Sequence, residues 1–292
     1  MMSKGPERDD DGEAQTGTQN EREATAVVTW RSFTFDDHDD EKAEEGTIRL
    51  QIREEMCADY GLYVWPSSIF LAAYLHTIRE HIAGKNVLEI GAGTGLPGIL
   101  CAKLGATSVS LTDTGANSKV LENLRTVSRE NKVDDVCKVQ ELCWGEFSLD
   151  TLALTPDLLL GADVFYDSEA FEDVLATLRY FFDREKAPLS RSKKEHSSSR
   201  RKARRLNEED GDRKAASTIR FISVFQKRSN TIALSELLLR WGMRMEAVAF
   251  EPDASFQIPE RDSLELVVIE PIQRISHRRS HDKVIMSKSG ER

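Results

Sequence analysis

Residues 86–98 read NVLEIGAGTGLPG, and the fold follows from how this stretch is parsed. Asn86 to Ile90 form a short apolar run, as a strand buried on both faces requires. Gly91, Gly93 and Gly95 then fall at every second position. Glycine has no Cβ, so the backbone can turn tightly and approach a ligand closely. Pro97 suits a helix start. The helix expected from Gly98 to Leu104 would offer its unpaired N–H groups and positive dipole end to that ligand. Strand, glycine turn and helix in this order place a nucleotide-like cofactor at the C-terminal end of the strand, where open α/β sheets bind ligands.

Two cofactors fit the turn. Read from Gly93, GTGLPG satisfies the dinucleotide fingerprint G-x-G-x-x-G, which points to a nicotinamide-dependent oxidoreductase. That register begins two residues late, because the tight turn should follow the strand directly. Read from Glu89, the pattern is E-x-G-x-G-x-G, which resembles the nucleotide-binding motif of class I S-adenosylmethionine (AdoMet) methyltransferases. The resemblance implies that Glu89 helps to fix the turn through the loop amides or bound water. A glycine turn without a ligand would instead make the domain a non-catalytic adaptor.

Downstream, Gly105 suits the residue after a helix, with Lys103 in its last turn. A second strand spans Ser108 to Thr112 and runs into Asp113. The interval from Gly91 to Asp113 is close to the ~20 residues expected for an acid that reaches the ribose hydroxyls. A carboxylate can accept two hydrogen bonds from a vicinal diol. Residues 116–130 give an amphipathic helix, and Cys137 to Leu142 a third strand. Cys143 and Trp144 follow it, where apolar and indole groups can pack on an adenine face. A fourth strand, Pro156 to Ala162, ends in Asp163. GADVFYD at 161–167 puts Asp163 and Tyr166 three apart at the mouth of the sheet, and Ser168 is expected to cap a helix to about Asp183. A fifth strand is Ile219 to Phe225, with a helix from Asn230 to Trp241. Arg244 to Phe250 and Leu264 to Ile269 have no helix between them, so they should pair antiparallel.

Upstream, 25–35 and 47–55 alternate with period two and read as a β-hairpin, a lid on the sheet. Pro66 suits the first turn of a helix with a broad apolar face through Ile69, Ala72, Ala73, Leu75 and Ile78. Trp65 stands just before it, positioned to border the cofactor.

Of the 292 residues, 1–47 carry 14 acids against 5 Lys/Arg, whereas 186–205 carry 9 Lys/Arg against one acid. The net charge of −10 is therefore concentrated at one end and says little about the partner. Residues 1–23 and 272–292 read as disordered tails around a single domain at 25–271. The Ser/Lys/Arg-rich stretch 185–217 reads as a disordered basic insertion, with RRKARR at 200–205 suited to nuclear localisation or to a weak nucleic-acid or histone-tail contact. No aromatics are interleaved there, so base stacking is not suggested. No run of 18 apolar residues suggests a membrane span. The four cysteines form no C-x-x-C pair, so neither a disulfide scaffold nor a metal site is expected.

YVWP at 63–66, VLEIGAGTGLPG at 87–98, Thr112-Asp113, Trp144-Gly145 and ADVFYD at 162–167 together resemble the seven-strand protein methyltransferases of the lysine methyltransferase group. The resemblance implies a Rossmann-like, mostly parallel seven-strand sheet with helices on both faces and a reversed last strand, in addition to the N-terminal hairpin. It implies AdoMet contacts by Trp65, Glu89, Gly91, Ala92, Gly93, Asp113, Trp144 and Ala162, and a catalytic pair in Asp163 and Tyr166. It also implies a protein substrate (a histone, chaperone or translation factor), a lysine or arginine acceptor, and a monomer in nucleus and cytoplasm.

Overall fold

The computed structural model describes residues 27–36, 47–56, 60–184, 219–227 and 231–272. The expected tail at 1–23, all but the first residue of the expected tail at 272–292, and the expected insertion at 185–217 lie outside these residues. Among the described residues there are nine strands: β1 (Val27–Phe35), β2 (Ile48–Met56), β3 (Asn86–Ile90), β4 (Ser108–Asp113), β5 (Cys137–Glu141), β6 (Leu158–Ala162), β7 (Arg220–Gln226), β8 (Met243–Ala247) and β9 (Leu264–Pro271). Six α-helices accompany them: α1 (Pro66–Thr77), α2 (Leu96–Lys103), α3 (Ser118–Glu130), α4 (Leu149–Ala153), α5 (Phe171–Arg184) and α6 (Thr231–Arg240).

Seven strands form one sheet in the order β5-β4-β3-β6-β7-β9-β8. β3 to β7 are parallel, and β9 runs antiparallel to both β7 and β8. The reversed last strand goes with the lack of a crossover helix: the connection from β8 to β9, residues 248–263, contains only a 3-10 turn, Arg261–Ser263, whereas a parallel return is usually made through an α-helix.

Side-chain alternation divides the interior into two apolar cores, one on each face of the sheet. Val87, Val109, Leu111, Leu158, Leu160 and Val224 face α1, α2 and α3. Leu88, Ile90, Leu159, Phe221 and Phe225 face α5 and α6. Each fully buried side chain of this kind contributes about 1.5–3 kcal/mol. Toward β4 and β5 the second face turns polar, with Ser110, Lys138 and Gln140 around a shallow cavity of about 300 Å³ beside α4. Among the described residues, no helix is long and apolar enough to cross a membrane.

β1 and β2 pair antiparallel in a sheet of their own. Phe33, Phe35, Leu50 and Ile52 are buried in the first core. Two asparagines of and after α3 fasten β2 along its outer edge. The Asn131 amide accepts from Gln51 N and donates to Gln51 O (2.9 and 2.7 Å). Asn123 donates to Arg53 O at 3.1 Å and accepts from the Arg53 guanidinium at 2.8 Å. These amides supply part of the hydrogen bonding a further strand would give, pairing Gln51 N, Gln51 O and Arg53 O on that edge.

Candidate functional site

The C-terminal ends of β3, β4 and β6 open into a cavity of about 880 Å³, within the range of small-molecule and cofactor sites. On one side the turn between β3 and α2 forms its floor. Gly91, Gly93 and Gly95 all take positive φ, at 60°, 54° and 81°, the left-handed region that costs other residues most. Their missing Cβ atoms make room chiefly for protein. A Cβ on Gly91 would lie 2.9 Å from the Trp144 indole, and one on Gly95 2.6 Å from Leu124. One on Gly93 would approach the Gly61 carbonyl at 3.3 Å. Gly91 and Gly93 line the cavity, whereas Gly95 is packed behind it.

The helix after the turn starts two residues earlier than the sequence suggests, at Leu96. Glu89 explains how the turn is held. Its buried carboxyl accepts from the Gly98 amide at 2.9 Å, one of the donors a helix start leaves unpaired. Burial pushes its pKa up to about 8; the Gly98 amide opposes the shift and the Asp113 charge adds to it. Glu89 does not line the cavity, and neither does Ala92, whose N–H donates to Thr112 O at 2.9 Å. Glu89 therefore fixes the turn from behind through a backbone amide, the role the resemblance implies, because the alternation along β3 turns it toward α2.

At the end of β4, Asp113 accepts from Gly93 N and Thr114 N, at 2.9 and 2.8 Å. The carboxylate therefore ties the second strand to the glycine turn. Each oxygen keeps a further acceptor site, and Asp113 faces the cavity, so the group remains able to take a diol. Burial raises its pKa, and the two amides counteract this. After β5 the chain places Leu142, Cys143 and Trp144 in the wall. Trp65, the residue preceding α1, also lines the cavity and meets Tyr63 edge-on at 5.2 Å.

Opposite the glycine turn is the loop after β6. Ala162, Asp163, Val164, Tyr166 and Asp167 line the cavity there. Asp163 is a non-glycine residue at φ 53°; aspartate is among the side chains that enter this region more readily. Its N–H donates to Val224 O at 2.7 Å, and its carboxylate accepts a long bond of 3.5 Å from Gln226 N. Tyr166 is half exposed and meets the Trp144 ring at 6.4 Å. Its phenol pKa is raised, first by burial and then by the charges of Asp167, Asp113 and Asp163. The cap expected at Ser168 belongs instead to Asp167, which accepts from Glu169 N at 3.0 Å. A 3-10 turn at Ser168–Ala170 then precedes α5.

The structure thus brings Trp65, Gly91, Gly93, Asp113, Trp144, Ala162, Asp163 and Tyr166 to one cavity. It also adds residues that sequence reasoning passed over: Gly61, Thr114, Asn117 and Asp173. Gly61 carried a weak signal, a glycine between Tyr60 and Tyr63 just upstream of Trp65. Thr114 and Asn117 come from a loop, whose direction no periodicity encodes, and Asp173 from the first turn of α5.

The described cavity has the donor set of a nucleoside site on one side and an acidic, aromatic rim on the other. Comparison with known proteins agrees. The lysine methyltransferase family matches residues 44–209. The histone-arginine methyltransferase METTL23 of Xenopus laevis is 34% identical over 237 residues, covering 78% of this chain and 87% of that protein. The human METTL23 is 35% identical over 216 residues, covering 71% and 96%. The protein N-lysine methyltransferase METTL21A of Xenopus tropicalis is 37% identical over 133 residues, covering 44% and 59%.

Proposed function

The chain belongs to the lysine methyltransferase family and is an AdoMet-dependent protein methyltransferase; we propose that it methylates a cationic side-chain nitrogen, foremost an arginine of a histone, held between Asp163, Asp167 and Tyr166. The observation that carries this reading is the juxtaposition, in one cavity of about 880 Å³, of Asp113 and the glycine turn with that acidic and aromatic rim.

In this reading Gly91, Gly93, Asp113, Trp65, Trp144 and Ala162 hold AdoMet. Asp113 takes the ribose diol, and Leu142 and Trp144 give the base an apolar wall. AdoMet held there would supply a sulfonium-bound methyl: the nitrogen lone pair would bond to that carbon as its bond to sulfur breaks to leave a neutral thioether. The nitrogen's surplus proton would pass to a carboxylate of the rim. The protein's part is alignment and exclusion of water. Asp163 and Asp167 localise the positive charge of the incoming side chain. Tyr166 stays protonated, because burial and three neighbouring carboxylates oppose its ionisation, so its phenol orients the nitrogen by hydrogen bonding.

Arginine is favoured by the names of the relatives that span most of this chain and by the number of carboxylates at the rim, since a guanidinium resists losing a proton before attack and must have its charge localised. Lysine is the second reading, supported by the spacing of Asp163 and Tyr166 and by the family's name. A histone acceptor fits a nuclear and cytoplasmic location. Transfer of labelled methyl from AdoMet to core histones and to a total extract, followed by mass mapping of the modified residue, tests the proposal. Label on histone arginine is expected. Label on lysine alone would move the assignment to the second reading, and AdoMet binding with no labelled protein would leave the fold as an adaptor. A calorimetric titration should show AdoMet binding and no NAD binding.

A further inference from the structure

We propose that the outer edge of β1 is the docking strand for the acceptor protein, which adds an extended segment to the hairpin as a third strand. The inference rests on the methyltransferase reading above and goes further, to how a polypeptide is presented.

The hairpin has two edges. That of β2 is covered at Gln51 and Arg53 by the Asn131 and Asn123 amides. Among the described residues, no strand pairs with the outer edge of β1. Its first residues, Val27, Val28, Thr29 and Trp30, are exposed, at 60% for Val27, 44% for Val28 and 43% for Trp30. They include no charge, proline or glycine. Proteins usually blunt an exposed edge with one of these features, because its free N–H and C=O groups template pairing with another chain. An edge left competent in this way fits strand addition.

The position of this edge specifies the occupant. Thr29 stands opposite Glu54, and the Glu54 carboxylate accepts from Val64 N at 2.9 Å. The next residue, Trp65, lines the cavity. Val27 stands opposite Met56, five residues before Gly61, which also lines it. The open half of β1 is thus one strand removed, across β2, from the segment that carries Gly61 and Trp65 into the cavity wall. The reaction requires a side-chain nitrogen from a polypeptide to enter the cavity mouth. An extended segment on β1 projects alternate side chains to opposite sides, and it would carry a cationic side chain toward a rim formed by Asp163, Asp167 and Asp173. Backbone pairing supplies affinity with little demand on sequence.

The test compares the wild-type full chain with a V28K/W30K variant, whose charges obstruct edge pairing, and with V28T/W30Y, which keeps strand-forming side chains. The readouts are labelled-methyl transfer into an undenatured protein extract and AdoMet affinity by calorimetry. V28K/W30K is expected to lose at least about tenfold of protein labelling, the equivalent of ~1.4 kcal/mol, with AdoMet affinity unchanged, while V28T/W30Y labels as wild type. Equal labelling by wild type and V28K/W30K overturns the proposal. So does loss in both variants, which would assign the effect to packing of the two side chains, and so does loss of AdoMet affinity in V28K/W30K, which would assign β1 to the cavity's architecture. A wild-type dimer that V28K/W30K dissolves without a change in labelling makes the edge a contact between copies. A wild-type protein that binds AdoMet and labels nothing removes the catalytic reading itself, and this inference with it.

Discussion

Two turns at the ends of neighbouring parallel strands meet the same backbone requirement with different residues. After β3, the left-handed conformation is taken by Gly91, Gly93 and Gly95; after β6 it is taken by Asp163. The glycine turn offers backbone and space, and its side-chain chemistry comes from Glu89 behind it and Asp113 beside it. The aspartate turn keeps a carboxylate at the cavity wall despite the conformational cost. Residues held in sparsely populated backbone regions cluster at functional sites. The comparison therefore separates a cradle, where a side chain would obstruct, from a position where the side chain is the reason for the strain.

Asp163→Gly tests that distinction most severely. It should relieve the backbone, leaving thermal stability equal or raised by up to ~1 kcal/mol, while methyl transfer falls by roughly 100-fold or more, the scale of a lost proton-handling group. Calorimetry should find AdoMet affinity nearly unchanged. A variant that transfers methyl normally would make Asp163 a structural residue and erase the contrast between the two turns.

Asp113→Ala should weaken AdoMet binding by about 10–100-fold, since it removes the diol's acceptor and leaves the Gly93 and Thr114 amides without their partner, each charged hydrogen bond being worth ~1.5–3 kcal/mol. Titration calorimetry reads this directly. Gly91→Ala comes next. Its φ alone costs roughly 1–2 kcal/mol for a residue with a Cβ, and displacement of the Trp144 ring should lower AdoMet affinity by about tenfold, visible as a change in indole fluorescence.

Glu89→Gln should have the smallest effect on transfer, within about twofold, because an amide oxygen can still accept from Gly98. Its signature is in pH. The Glu89 pKa is raised in the folded state, so the folded chain holds a proton that the unfolded chain releases at ordinary carboxyl pKa. This contribution to stability is complete at acid pH and is lost as pH rises toward about 8. Denaturant midpoints measured from pH 5 to 9 should fall more steeply for wild type than for Glu89→Gln. Parallel curves would show that the carboxyl is ionised in the fold.

Both turns were marked in the sequence, but with unequal resolution. The glycines, the strand before them and the acid at Asp113 follow from spacing alone, because a βαβ unit fixes how far apart these groups must be. Asp163 and Tyr166 could be placed at the sheet mouth by counting, yet nothing in DVFY reveals that Asp163 is left-handed or that its carboxylate reaches toward Gln226. The small helix α4 and the cap by Asp167 were missed for a related reason: short segments carry too little periodicity to stand out, and Ser168 and Asp167 are equally good caps on composition. The two asparagines that cover the edge of β2 at Gln51 and Arg53 were read only as parts of a helix face and its end, since their partners lie 70 and 80 residues away.

Local chemistry along the chain thus determined the strand–helix alternation, the glycine turn, the acid after the second strand and the antiparallel final pair, because each depends on spacing within a few tens of residues. Which side chains face the cavity was decided only by the tertiary structure. It turned Glu89 away to hold a helix end, set Trp144 across Gly91, and left one edge of the hairpin open while two asparagine amides covered part of the other. Those outcomes depend on which distant surfaces pack together, and burial is a property of the assembled sheet that no single stretch of sequence contains.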